Sequence, residues 1–431
     1  MDKQTLLLEE KIRQKLLIDK RKAYEENVAM FNVVKKFIQK NNLLLYGGLA
    51  LNIILPKHLQ FYDEYEIPDY DFFSPDAKKH AKELGNTFAD LGYEGVEVKP
   101  GLHLNTYKVF VNYNAVADIT YVPEKLFERM SEISKSERTE ILQHNPSLDM
   151  NIAPMAFLRM SLHLELSRPD GFIERWTKVY KRMVLFYHTY PLTFNLCKEK
   201  DIVFIEEKDP IFLGLLSKLK EFLTQEQYPI FGWEATRIYF NEAGFKLPYN
   251  YKFEEKMSMV DIIAEDYANA AKTIADYMRK LVEDKHDINI EKHSSLYNNE
   301  IIPSHFLIKY KNKILIGVYQ SQACYAYKNY KGLRLSTIDT MCSLMYGWLF
   351  SERTYYNNEK IKCMINMLLN IQNEQLEKKK GRVNKIFTPF ELNCYGYQLQ
   401  LEDLKKQRME IKNIMKVYRP KKTNNNKKLS N

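Results

Sequence analysis

Two adjacent glycines, Gly47-Gly48, end a short apolar run at residues 43–46, and 21 residues after them two aspartates flank one tyrosine as Asp69-Tyr70-Asp71. In a strand, residues i and i+2 face the same side, about 6.5–7 Å apart. Asp69 and Asp71 therefore aim at one point and Tyr70 aims away into packing. A third acid, Asp118, sits in a second apolar strand, NAVADITYV at residues 114–122. If the two strands lie side by side, three carboxylates converge. Such acids repel one another, and the cost is recovered only when a cation binds between them.

The glycine pair has a separate physical reason. Glycine takes positive φ without strain and lets backbone come close to a ligand. A helix that starts there offers free N–H groups to an anion. Taken alone, Gly47-Gly48 is an ordinary strand-to-helix turn, and Asp69 with Asp71 is an acidic strand end. Their joint order, with a later acid in a second strand, points to a site that binds a triphosphate and divalent metal, with Asp69, Asp71 and Asp118 as metal ligands. Magnesium favours oxygen ligands, and two such ions suit phosphoryl chemistry.

The surrounding pattern supplies the scaffold. Residues 3–40 predict one or two amphipathic helices, from Leu6, Ile12, Leu16 and Leu17 and then Val33, Val34, Phe37 and Ile38. A helix follows the glycines and stops at Pro56. Ser74-Pro75-Asp76 predicts a helix start with Ser74 as N-cap, running to about Leu91 with Gly92 after it. Strands are expected near 105–112 and 115–122. From Ile152 to Tyr190 the pattern is helical again, broken by Pro169 and Gly171. His163 and Trp176 on these helices read as core residues. Arg168, Arg175, Lys178, Lys181 and Arg182 form a basic cluster, which suits either a triphosphate or RNA backbone, or a solvated face paired with Glu165 and Glu174.

The second half echoes the first. FGWEATRIYFNEAG at 231–244 resembles YGGLALNIILP, and VDIIAEDYANAAKTI at 260–274 resembles YDFFSPDAKKHAKEL. Setting Asp266 under Asp76 puts Asp261 under Asp71, Met259 under Asp69 and Gly317 under Asp118. This reads as a second domain of the same fold with two of three carboxylates lost; chance matching is the competing explanation.

The chain has 431 residues and a formal charge of +9, which suits a polyanionic partner. Lys378-Lys379-Lys380 with Arg382, and the basic stretch from 416 to 431, are further RNA contacts or solvated segments; the latter is expected to be disordered. Five cysteines lack CxxC spacing, so neither a zinc site nor a disulfide framework is expected. The N-terminus is charged from Asp2, and no apolar run is long enough to span a bilayer, which favours a soluble intracellular protein.

The segments YGGLALN, PDYDFFS, VADIT, LELSRPDG with ERWTKVYKR, and GLRLSTIDTMCSLMYGWLF at 332–350 together resemble the catalytic subunit family of viral poly(A) polymerases, found in poxviruses and other large cytoplasmic DNA viruses. The resemblance implies an α+β fold: a DNA polymerase beta-like nucleotidyltransferase domain with a mixed sheet, N-terminal helices, and a C-terminal degenerate copy. The corresponding division is residues 1–42, 43–190, 191–415 and 416–431. It implies Mg2+ or Mn2+, ATP as donor and an RNA 3′ end as acceptor. Asp69, Asp71 and Asp118 would be catalytic, and Gly47, Gly48, Arg168, Lys178 and Lys181 would hold the triphosphate. A second copy of the chain or a viral processivity subunit would be its partner, and the host cytoplasm or the virion its location. Many superfamily members carry a serine at the glycine turn; Leu49 offers no hydroxyl, so phosphate contact would rest on backbone N–H groups. Another nucleotidyltransferase, acting on tRNA ends or a small molecule, and a non-catalytic RNA-binding protein are the alternatives.

Overall fold

The computed structural model describes residues 3–63, 65–66, 69–192, 209–244, 259–296, 301–351, 353, 355–377, 384–410 and 416–420. The basic run at 378–382 and the tail from 421 lie outside these residues, as does Cys197. The chain forms two compact units, one of residues 1–158 with 401–431, the other of residues 159–400. The division falls inside one helix, Met155–Leu166.

The first unit opens with a single helix, α1 (Lys3–Lys40). Its second half is amphipathic, and Met30, Val34 and Ile38, spaced by four, are buried. The early leucines expected to pack are instead exposed. A mixed sheet follows, built from β1 (Leu44–Tyr46), β2 (Tyr70–Ser74), β3 (Glu97–Pro100), β4 (Thr106–Val111), β5 (Asn114–Tyr121) and β6 (Asn151–Ile152). Their spatial order is β3-β4-β5-β2-β1-β6. β2 runs parallel to β5 and antiparallel to β1. A parallel pair needs a crossover connection, which α3 (Ala77–Asp90) supplies, with Ala81, Leu84 and Phe88 buried. α2 (Gly47–Ile54) joins β1 to the loop before β2.

The start of α3 differs from expectation. Asp76, not Ser74, holds the N-cap position. Ser74 ends β2 fully buried, its hydroxyl accepting from the Asp76 N–H and meeting His80 Nδ1 at 2.6 Å. The strand claims the serine because its backbone is needed for pairing with Tyr121. Gly92 follows α3 with φ +90°, as a C-terminal glycine should. At the far edge Tyr418 pairs with Val98 of β3 through two backbone hydrogen bonds of 2.8 and 2.9 Å. Where a disordered tail is expected from residue 416, the chain thus covers a sheet edge, and Arg419 bonds Glu97.

The second unit carries β7 (Pro229–Phe231), β8 (Val260–Ala264), β9 (Ile288–His293), β10 (His305–Tyr310), β11 (Lys313–Gln320), β12 (Tyr325–Tyr330), β13 (Leu333–Ser336) and β14 (Cys394–Tyr395), in the order β14-β12-β13-β7-β8-β11-β10-β9. Six of these strands reproduce the first sheet, with the same parallel and antiparallel pairings. Gly317 lies opposite Asp261 as Asp118 lies opposite Asp71, and Phe231 lies opposite Asp261 as Tyr46 lies opposite Asp71. Asp266 holds the N-cap position of the following helix, Tyr267–Arg279, as Asp76 does for α3, and its side chain also accepts from the Asn269 N–H. The second unit is therefore the degenerate copy of the fold. Cys324 and Cys394 form a disulfide, against expectation; they are 70 residues apart in sequence, and β12 pairing with β14 brings them together.

Candidate active site

The sheet register brings two of the predicted acids together. Asp71 and Asp118 are direct partners across β2 and β5. Asp69 immediately precedes β2 at the exposed lip of the site. Loss of water on its inner side and then the nearby Asp118 charge push its carboxyl above the ordinary value, with Lys108 opposing them. Tyr70 points the other way and stacks on Phe31 of α1, ring centres 5.8 Å apart; burial raises its phenol to about 12.

Gly47 is locked to this cluster. Its φ is +73°, and a Cβ there would lie 2.6 Å from Asp71 Oδ2. Only glycine allows both the turn and the close approach. Gly48 continues α2, whose first N–H groups have no partner within the helix. Gly47, Gly48, Asp71 and Asp118 thus belong to one locus, with Asp69 at its mouth.

Sequence reasoning missed Lys108. It faces Asp118 across β4 and β5, and its Nζ lies 2.5 Å from Asp118 Oδ2. The signal was the hairpin: Val111 and Asn114 flank a two-residue turn, but a register shift near Val109 obscures the count back to Lys108. The other Asp118 oxygen, Oδ1, is buried with no hydrogen-bond partner. A buried carboxylate oxygen left unpaired is costly, and it fits a site built to hold a divalent cation. Around it, Tyr46 Oη meets Thr120 Oγ1 at 2.9 Å, and Thr120 meets Thr106 at 3.0 Å, fixing the strand that carries Asp118.

Arg168, Lys178 and Lys181 belong to the second unit. There the basic cluster gathers on Glu165: Arg175 Nε lies 3.1 Å from its Oε1. Burial raises the Glu165 carboxyl, with Arg175, Arg182, Arg168 and Lys178 pulling it down. The Arg168 guanidinium also sits 5.7 Å from the centre of the Tyr325 ring. Lys178 and Lys181 are exposed. Trp176 is half-buried and donates to the Glu165 carbonyl. His163 is fully buried and satisfied on both nitrogens, by Asp339 and Tyr187, each at 2.8 Å, as a core histidine.

The sequence pattern of the poly(A) polymerase catalytic subunit family matches residues 32–171, which contain all three acids and both glycines. Over that segment the chain is similar to the poly(A) polymerase catalytic subunit family. Similarity to viral members runs further. A protein of Acanthamoeba polyphaga mimivirus named for a poly(A) polymerase catalytic subunit is 26% identical over 431 positions, covering 89% of this chain and 70% of that protein. A protein of the same name from African swine fever virus (isolate Pig/Kenya/KEN-50/1950) is 28% identical over 188 residues, 42% of this chain and 37% of its own length. The crystal structure of the Megavirus polyadenylate synthase superposes with a TM-score of 0.82 at 22% identity, covering 97% of this chain and 86% of that one, which establishes a common fold. None of the helices among the described residues is long and apolar enough to cross a membrane.

Proposed function

We propose that this chain is a template-independent polynucleotide adenylyltransferase, transferring AMP from ATP to RNA 3′ ends in the host cytoplasm. The observation that carries the site assignment is the opposition of Asp71 and Asp118 across parallel strands, beside a glycine that has no room for a side chain. Asp69, Asp71 and Asp118 would hold Mg2+ or Mn2+, and the unpaired Asp118 Oδ1 suits that role. When bound, two such ions supply charge neutralisation for the attacking hydroxyl and the leaving pyrophosphate. The chain's own part is placement. Gly47 lets the backbone approach the phosphates, and the first N–H groups of α2 face them with the favourable end of the helix dipole. Lys108 balances one carboxylate charge while the site lacks a cation. Lys178, Lys181 and Arg168 would add to the grip on triphosphate or RNA. The net charge of +9 favours capture of the RNA. A second copy or a viral processivity subunit, and packaging in the virion, complete this reading.

The test is primer extension with each of the four triphosphates offered separately, with and without divalent metal. Asp69→Ala and Asp71→Ala should abolish extension and leave the melting temperature within a few degrees of wild type. Full activity in either variant would refute the site, and equal use of all four triphosphates would refute the adenylate assignment.

A further inference from the structure

The second unit contains a cavity of about 590 Å3 that the transfer chemistry leaves unused. It lies between helix Trp176–Thr189, helix Asn358–Glu377 and the segment at Pro389 and Phe390. Its floor is a closed polar chain in which Asp339 and Tyr187 hold His163, and the Tyr187 hydroxyl reaches Tyr346 at 3.1 Å. The hydrogen bonds of that floor are already satisfied. The mouth is different. Tyr180 and Phe390 are both exposed there, packed edge to face with ring centres 5.0 Å apart. Asn370 and Asn373, three apart on one helix face, line the opposite side, and neither side-chain amide makes a hydrogen bond among the described residues.

The charge of the lining narrows the ligand. Among the described residues it contains no lysine or arginine, and it includes the carboxylates of Asp339 and Glu377. A phosphate would be repelled. A flat, neutral ring with hydrogen-bonding edges suits exposed aromatics and free amides. Carboxamides pair in bidentate fashion with adenine, which offers an exocyclic amine donor beside a ring acceptor. Lys178 and Lys181, exposed on the helix that carries Tyr180, are placed to meet phosphates outside the cavity.

We propose that this cavity is an adenine-selective nucleobase site, taking a base from single-stranded RNA or a free nucleotide, with Tyr180 and Phe390 as stacking surface and Asn370 and Asn373 as the reading amides. The ribonucleic acid context rests on the proposed function; the base chemistry does not.

The experiment is equilibrium binding of labelled A15 and U15 oligoribonucleotides to the full chain, with AMP as competitor. Asn370→Leu should weaken A15 binding about 10-fold, the size of one lost bidentate contact, and change U15 binding less than about 2-fold. Tyr180→Ala should weaken both, because stacking is tolerant of base identity. Should Asn370→Leu fold poorly, Asn373→Leu, at an exposed position, carries the same expectation of A15-selective loss. Competition by AMP that is lost in Asn370→Leu assigns the site to free nucleotide; selective loss of A15 without AMP competition assigns it to the polymer. Equal loss of A15 and U15, or no loss with either amide variant, overturns the proposal. Primer extension on the same preparations separates the two readings, since a wild-type protein that binds A15 selectively without extending it would sink the transferase and leave this site standing.

Discussion

Lys108 Nζ lies 2.5 Å from Asp118 Oδ2, across the β4–β5 pair, so one of the three proposed site acids meets a cation from its own sheet. Lys108→Met removes that partner and leaves a part-buried carboxylate alone. The metal-free protein should lose about 1–2 kcal/mol of stability. Added Mg2+ should then raise the melting temperature more in the variant than in wild type, because the ion no longer competes with the ammonium. Identical Mg2+-dependent shifts in the two proteins would show that Lys108 does not answer to the cation.

Gly47 and Gly48 should separate cleanly. Gly47→Ala forces a non-glycine residue to φ +73° and drives its Cβ onto the Asp71 carboxylate. The expected cost is about 1–3 kcal/mol of stability and about 100-fold in extension rate, the order expected when a reacting group moves by an ångström. Gly48→Ala, at a position without positive φ, should keep activity within about 10-fold. Calorimetry beside single-turnover extension measures both.

The buried Asp261 makes stability depend on pH. Both its oxygens lack a partner, and burial raises its carboxyl well above the ordinary value. Its folded-state pKa exceeds the unfolded one, so its contribution is fully present at acid pH and is lost as pH rises through the raised value. Asp261→Asn, of the same shape and never charged, should gain stability relative to wild type as pH increases above the usual carboxylate range. Thermal melts across the pH range check this, and a constant difference between the two proteins would contradict it.

His305 works in the opposite direction. Its ring is buried, stacked on Tyr319 at 4.4 Å, with Nδ1 near the Pro303 carbonyl and Nε2 accepting from Tyr355. Burial first, then the Arg353 and His293 charges, lower it to about 3, against the Pro303 carbonyl. A lowered value means the unfolded chain takes up the proton first, so stability falls as pH drops from about 6.5 toward 3. The loss should reach a few kcal/mol, on the order set by that shift, and His305→Gln should flatten it. Urea unfolding at stepped pH reads the slope directly.

Much of the architecture was legible because strand geometry repeats every two residues. Asp69, Tyr70 and Asp71 sort to opposite faces by that rule alone, and the faint echo between the halves puts Gly317 and Asp261 in register. Features that depend on distant pairing were not legible. Lys108 reaches Asp118 only through an irregular hairpin, and Cys324 meets Cys394 only because β12 and β14 are neighbours. Ser74 looked like a helix cap because its hydroxyl and its neighbours fit that role, and the strand took it instead. The residues around Tyr418 are polar and basic enough to suggest disorder, yet two backbone hydrogen bonds to Val98 need no particular side chains.

The glycine at 317 also bears on how the two halves diverged. A Cβ there would lie 2.5 Å from Asp261 Oδ1 and 2.7 Å from the Tyr319 ring, in a sheet interior with no slack. Replacing Gly317 with an acid would not rebuild a metal cage; it would wedge the strand apart. A carboxylate at this position would therefore need several neighbours to change together.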